Sequence, residues 1–138
     1  GHVRATLGMQ PDGSTRLVFQ DEDAKPRLRL SLLADGSPGI TFVDGNGRSR
    51  AVLGLLPDET TTLVFADRRG QTRAVLGVSA EEAATLVFAD RLGDTRAGIT
   101  VTAEGEPSMT VVENDRSQSE NRATPDTAAT GRPSGPVR

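Results

Sequence analysis

The chain has 138 residues, 35% of them apolar and 25% charged, with a net charge of −3, a balance that suits a single soluble domain. Four Phe are its only aromatic residues, and Arg and acidic residues are interleaved, so it offers neither the stacking platform nor the basic patch that a nucleic acid partner needs. It has no Cys and therefore no disulfide or thiolate metal site; no stretch approaches the roughly 18 apolar residues of a membrane helix, so membrane insertion by this chain is not expected.

Gly1-His2 reads as a processing or cloning scar, and the absence of a starting Met suggests that an upstream segment has been removed. From Val3 onward the chain is a repeat. Arg recurs at Arg4, Arg27, Arg50, Arg73 and Arg96, each step being 23 residues. Phe19, Phe42, Phe65 and Phe88 keep the same interval, with Val111 in fifth place, and so do Asp21, Asp44, Asp67, Asp90 and Glu113. Five copies run from about Val3 to about Gln118. A period of this size, free of insertions, is the mark of a repeat architecture whose units stack on one another.

The first copy turns at "PDGS" (Pro11–Ser14) and ends in "DEDAKP" (Asp21–Pro26), which lacks the Gly found in later copies. Its connection to the second copy is therefore expected to be distorted. The second copy turns at "DGSPG" (Asp35–Gly39) and closes with "DGNGRS" (Asp44–Ser49). In the third, "RAVLGL" alternates Ala51, Leu53 and Leu55 with Arg50, Val52 and Gly54, and "TLVFAD" places Leu63 and Phe65 opposite Thr62, Val64 and Ala66. Alternation with period two predicts strands. "DRRGQT" (Asp67–Thr72) leads to the fourth copy, which repeats "RAVLG" and "TLVFAD", and "DRLGDT" (Asp90–Thr95) leads to the fifth, which turns at "EGEPS" (Glu104–Ser108). The turns with Asp first and Gly fourth suit a type I turn followed by a left-handed bulge residue; the other connections read as looser hairpins.

Comparison between copies suggests which face is buried. The column Leu7, Leu30, Leu53, Leu76, Ile99 is always large and aliphatic, whereas Thr6, Arg29, Val52, Val75, Gly98 is mixed. The first face is expected to be core and the second to face solvent. The fold expected is all-β: five tandem 23-residue hairpins stacked as a solenoid-like antiparallel structure, or, as an alternative, a ten-stranded meander barrel. A partial propeller fits worst, because five copies do not make whole four-stranded blades. Residues 119–138 carry Pro, Gly, Ser and Thr with hardly a large apolar group and read as a disordered tail, open to O-glycosylation.

Candidate chemistry is sparse. His2 is the only imidazole and stands at the terminus, so no positioned base is available for a nucleophile and no enzyme is expected. Asp44-x-Asn46 and Asp21-x-Asp23 open like oxygen-rich calcium loops, but Arg48 stands where a third ligand belongs, so no metal or cofactor is expected. Asp44 with Arg50, Asp67 with Arg73, and Asp90 with Arg96 flank single turns and are expected to pair across them. Val52, Val64, Ala66, Val75, Val87 and Ala89 form an apolar band on the face assigned to solvent, a candidate interaction face. Open strand edges add a second route to association.

The stretch "LVFADRRGQTRAVLGV", preceded by "DGSPGITFVDGNGRSRAVLGL", resembles tandem β-hairpin-repeat regions of uncharacterised bacterial proteins (RAxLG…LxFxDxxG type), which are often membrane-anchored or surface-exposed. The resemblance covers nearly all of Val3–Gln118 and implies an extracellular or cell-surface module, with an upstream anchor possible and no known reaction. Cell-wall-binding hairpin repeats are similar in repeat length and hairpin form alone; their binding depends on Trp and Tyr, and this sequence has neither. The leading expectation is a structural or interaction module, a rigid β-repeat element that self-associates as a homo-oligomer, polymer or filament. The alternative is a barrel that holds an apolar ligand.

Overall fold

The computed structural model describes residues 3–112. His2, Glu113, the far end of the fifth copy and the tail at 119–138 lie outside them. Ten strands follow one another: β1 (Ala5–Met9), β2 (Thr15–Gln20), β3 (Pro26–Leu32), β4 (Pro38–Val43), β5 (Ser49–Leu55), β6 (Thr61–Ala66), β7 (Thr72–Val78), β8 (Ala84–Ala89), β9 (Thr95–Val101) and β10 (Pro107–Val111). No helix occurs among the described residues. The strands form one antiparallel sheet in chain order, each paired with its sequence neighbours, and β1 and β10 have one partner apiece. The protein is thus all-β and built of tandem hairpins, and the copies join edge to edge through main-chain hydrogen bonds. The sheet is open. The barrel alternative fails, and with it the enclosed interior that an apolar ligand would have needed.

All nine connections among the described residues share one geometry. In each, the first residue accepts a hydrogen bond from the main-chain N–H of the fourth and donates its own to the carbonyl of the fifth, as in Asp67, Gly70 and Gln71 at 3.0 and 2.9 Å. The fourth residue is left-handed every time: Gly13, Gly36, Gly47, Gly70, Gly93 and Gly105, but also Ala24, Glu59 and Glu82 with φ of 59°, 65° and 63°. The expected division into tight and loose turns is not found, and "DEDAKP" is not distorted. Ala24 adopts the conformation that Gly takes elsewhere, because the flanking ladders hold both ends of the turn in place.

A second device recurs once per copy. The register shifts by one residue between Phe19 and Gln20, Phe42 and Val43, Phe65 and Ala66, and Phe88 and Ala89. In the second of these, Phe42 opposes Ala51 and Val43 opposes Ser49, which leaves Arg50 as the extra residue. Each joint between copies therefore carries a β-bulge whose additional residue is the repeating Arg, while the ladder within each copy is regular.

The expected core is not found among the described residues. Val43, 4% exposed, is the only buried hydrophobic residue among those described, whereas Leu53 is 44% and Phe65 46% exposed. The physical reason is that the ten strands lie in one layer, so each side chain meets in-plane neighbours and no second sheet among the described residues covers it. The Leu and Phe face is therefore a surface and not a core.

The turn geometry yields a prediction. A left-handed Ala costs about 1–2 kcal/mol, and Gly adds roughly 0.4–1 kcal/mol of unfolded-chain entropy. Ala24→Gly should therefore stabilise the sheet by about 0.5–1 kcal/mol, read as a higher urea midpoint at unchanged slope, while Gly70→Ala should lower that midpoint.

Candidate interaction surface

The antiparallel register places residues of like parity on the same face in every strand. Leu7 opposes Leu17, Leu17 opposes Leu30, and the line continues through Ile40, Leu53, Leu63, Leu76, Leu86 and Ile99 to Met109. It crosses all ten strands without a polar residue. A parallel line alternates small and aromatic or large groups, as in Phe42, Ala51, Phe65, Ala74, Phe88 and Ala97. The two lines make a continuous apolar face on which Phe19, Phe42, Phe65 and Phe88 are all exposed.

The opposite face carries the predicted band. Val52, Val64, Val75 and Val87 oppose one another in turn across β5 to β8, flanked by Thr41 on β4 and Gly98 on β9. Ala66 and Ala89 lie beside the bulges, opposite Thr72 and Thr95. All six residues are half-buried. The band spans four strands instead of ten, and it is less exposed than the Leu and Phe lines. The candidate interaction residues are thus adjacent, and the larger uncovered apolar surface is the opposite face, the one expected to be core. The missing signal is not local: a column of Leu marks a face, and whether anything covers that face depends on whether a second layer exists.

The turn pairs are brought together. The guanidinium of Arg50 lies 3.8 Å from Asp44, that of Arg73 3.8 Å from Asp67, and that of Arg96 2.6 Å from Asp90. Arg27 and Asp21 make the same pair at 3.4 Å. Sequence reasoning missed a further contact: Nε of Arg27, Arg50 and Arg73 donates to the carbonyl oxygens of Val43, Ala66 and Ala89, at 3.1, 2.9 and 2.9 Å. Each of these arginines therefore ties its own strand to the turn before it and to the end of the next strand. Arg4 makes the same contact, its Nε donating to the carbonyl of Gln20 at 3.0 Å, so the reach belongs to the place of Arg in the copy and not to the bulge.

The same Asp residues serve the turns as acceptors. Asp44 Oδ1 accepts from the N–H groups of Asn46 and Arg48, and Asp67 Oδ1 from those of Arg69 and Gln71. On the opposite rim Asp12, Asp35 and Asp58 sit two residues before the main-chain N–H groups they accept from, those of Ser14, Ser37 and Thr60. The oxygen-rich starts at Asp21 and Asp44 are thus committed to turn N–H groups, and no cluster of three metal-ligating side chains is found among the described residues. These bonds hold the carboxyls below the ordinary range: for Asp44 the leading cause is the N–H of Arg48, for Asp67 that of Arg69, and for Asp90 the side chain of Arg96.

The depressions at the sheet surface are shallow and open. One lies on the valine face between Arg73, Val75, Val87 and Thr95, and another on the leucine face between Leu53, Leu63, Leu76 and Val78. Neither encloses a small molecule. No protein-family model matches the chain, and no curated protein shows significant similarity to it.

Two outcomes are expected. A carboxyl whose folded pKa lies below its unfolded value contributes stability above the unfolded pKa and loses it as pH falls through the folded one. Urea midpoints should therefore be level with respect to these groups above about pH 5 and fall below about pH 4, and Asp67→Asn should flatten that acid limb. Arg50→Lys keeps the charge but loses the Nε donor, and should cost about 1 kcal/mol in urea unfolding.

Proposed function

We propose that this chain is a structural module: a rigid β-repeat sheet that self-associates by packing its leucine and phenylalanine face against another copy, forming an oligomer or an extracellular filament. The observation that carries the reading is the uncovered apolar face running across all ten strands of a one-layer sheet. Monomeric soluble proteins rarely expose contiguous apolar patches of more than a few hundred Å². Two such sheets set face to face would make a sandwich about 10 Å apart, burying both sets of side chains. The valine band is the lesser candidate, because it is narrower and already half-covered. An extracellular or cell-surface setting, and bacterial origin, enter the reading from the resemblance of the repeat alone. The reading gives the chain no catalytic role.

Light scattering coupled to size exclusion is the test. The mass should be a multiple of the monomer, and Leu53→Lys with Leu76→Lys should lower it while the far-ultraviolet dichroism stays that of a sheet. Val64→Asp with Val87→Asp should leave the mass unchanged; loss of assembly in that variant alone would move the contact to the valine face. A strict monomer at high concentration overturns the proposal.

A further inference from the structure

The two edges of the sheet are repeat equivalents of strands that pair inside it. β10 occupies the place in its copy that β2 occupies in the first, and β1 the place that β3 occupies in the second. β2 and β3 pair as Leu17 with Leu30, Val18 with Arg29 and Phe19 with Leu28. Carried to the edges, the same register sets Met109 against Leu7, Thr110 against Thr6 and Val111 against Ala5. We infer that β1 of one chain adds to β10 of another in this register, so that the sheet continues from molecule to molecule. The inference rests on the self-association reading and gives it a direction of growth.

The main chain is arranged for such a joint. Gln20 donates to the carbonyl of Arg4 and Gln10 to that of Ser14; main-chain groups of a strand point alternately to its two sides, so those of Ala5, Leu7 and Met9 point to the open edge. On β10, Val112 donates to the carbonyl of Arg96 and Thr102 to that of Glu106, which turns Pro107, Met109 and Val111 outward. The outward residues of one edge are those that the register sets against the outward residues of the other.

Among the described residues the edges carry few of the usual guards. Edge strands are commonly protected by charge, by Pro or by a cover, yet neither "ATLGM" nor "PSMTV" contains a charged residue. Pro107 is no barrier, because its repeat equivalent Pro38 sits in the interior strand β4, where the ladder to β5 simply begins at the next pair, Gly39 with Gly54. Leu7 and Met109 are 71% and 73% exposed, whereas Leu30, the equivalent of Leu7 at an internal joint, is 37% exposed. Pairing of the edges would give the end residues the neighbours that their internal counterparts have.

The chain has no Cys, so single-cysteine variants report the joint directly. Thr6 and Thr110 correspond to a pair that lies between ladder hydrogen bonds, where opposed side chains are closest and a disulfide can form. Thr6→Cys and Thr110→Cys proteins are mixed and oxidised mildly. The mixed disulfide dimer should exceed the same-site dimers by roughly tenfold or more, the gain expected when binding raises the effective concentration of one thiol at the other. Thr6→Cys mixed with Ser108→Cys should give only the same-site background. Equal yields for the two mixtures, or a Thr6 and Thr110 mixture no better than either protein alone, would overturn the joint. An oligomer by light scattering with no enrichment of the mixed dimer removes the edge joint and leaves face packing in place; a monomer removes both.

Discussion

Register is the constraint on which this structure depends. In an antiparallel sheet a slip of one residue sends every side chain of a strand to the other face, and a repeat of odd length meets this hazard once per copy. Two turns of the same length would restore the original face only after an even number of residues. The bulge at each joint absorbs the odd one, and Arg is the residue it absorbs. Because of this the Leu line never leaves its face from β1 to β10.

A one-layer sheet needs another source of stability than a core. Main-chain ladders run the full width, cross-strand pairs such as Leu53 with Leu63 and Val64 with Val75 lie on the two faces, and each pair contributes roughly 0.2–1 kcal/mol. The Arg residues then fasten one copy to the next at the rim where the bulges weaken the ladder. Asp serves both the turn and the Arg, with Oδ1 on main-chain N–H groups and Oδ2 on the guanidinium, as Asp44 does with Asn46, Arg48 and Arg50. One side chain thus closes a turn and anchors the residue that spans the joint.

The strands, their order of faces and the Asp and Arg pairs were legible in the sequence because each rests on local spacing: alternation gives the face, and Asp first with Gly fourth gives the turn. The left-handed Ala24, Glu59 and Glu82 were not, since only the ladders on either side force these residues into a conformation that their side chains disfavour. The reach of Arg50 to the carbonyl of Ala66 was not legible either, since it depends on which residue the pairing sets across from the guanidinium; nor was the bulge, although the odd period implies that one must exist. The largest difference concerns burial. Leu53 and Phe65 look like core residues in any alignment of the copies, and nothing near them in the chain states whether a second layer lies above.

A sheet without a shared core has no preferred number of copies. In a sandwich or a barrel, the loss of two strands opens a hole that every other strand feels; here each copy touches only the copies beside it, so the sheet has no stoichiometry to satisfy. Its width grows in steps of one hairpin, about 10 Å at the usual spacing between strands. Such a molecule can be lengthened or shortened by whole units of genetic text while the texture of its faces stays the same, as a ribbon is cut to measure.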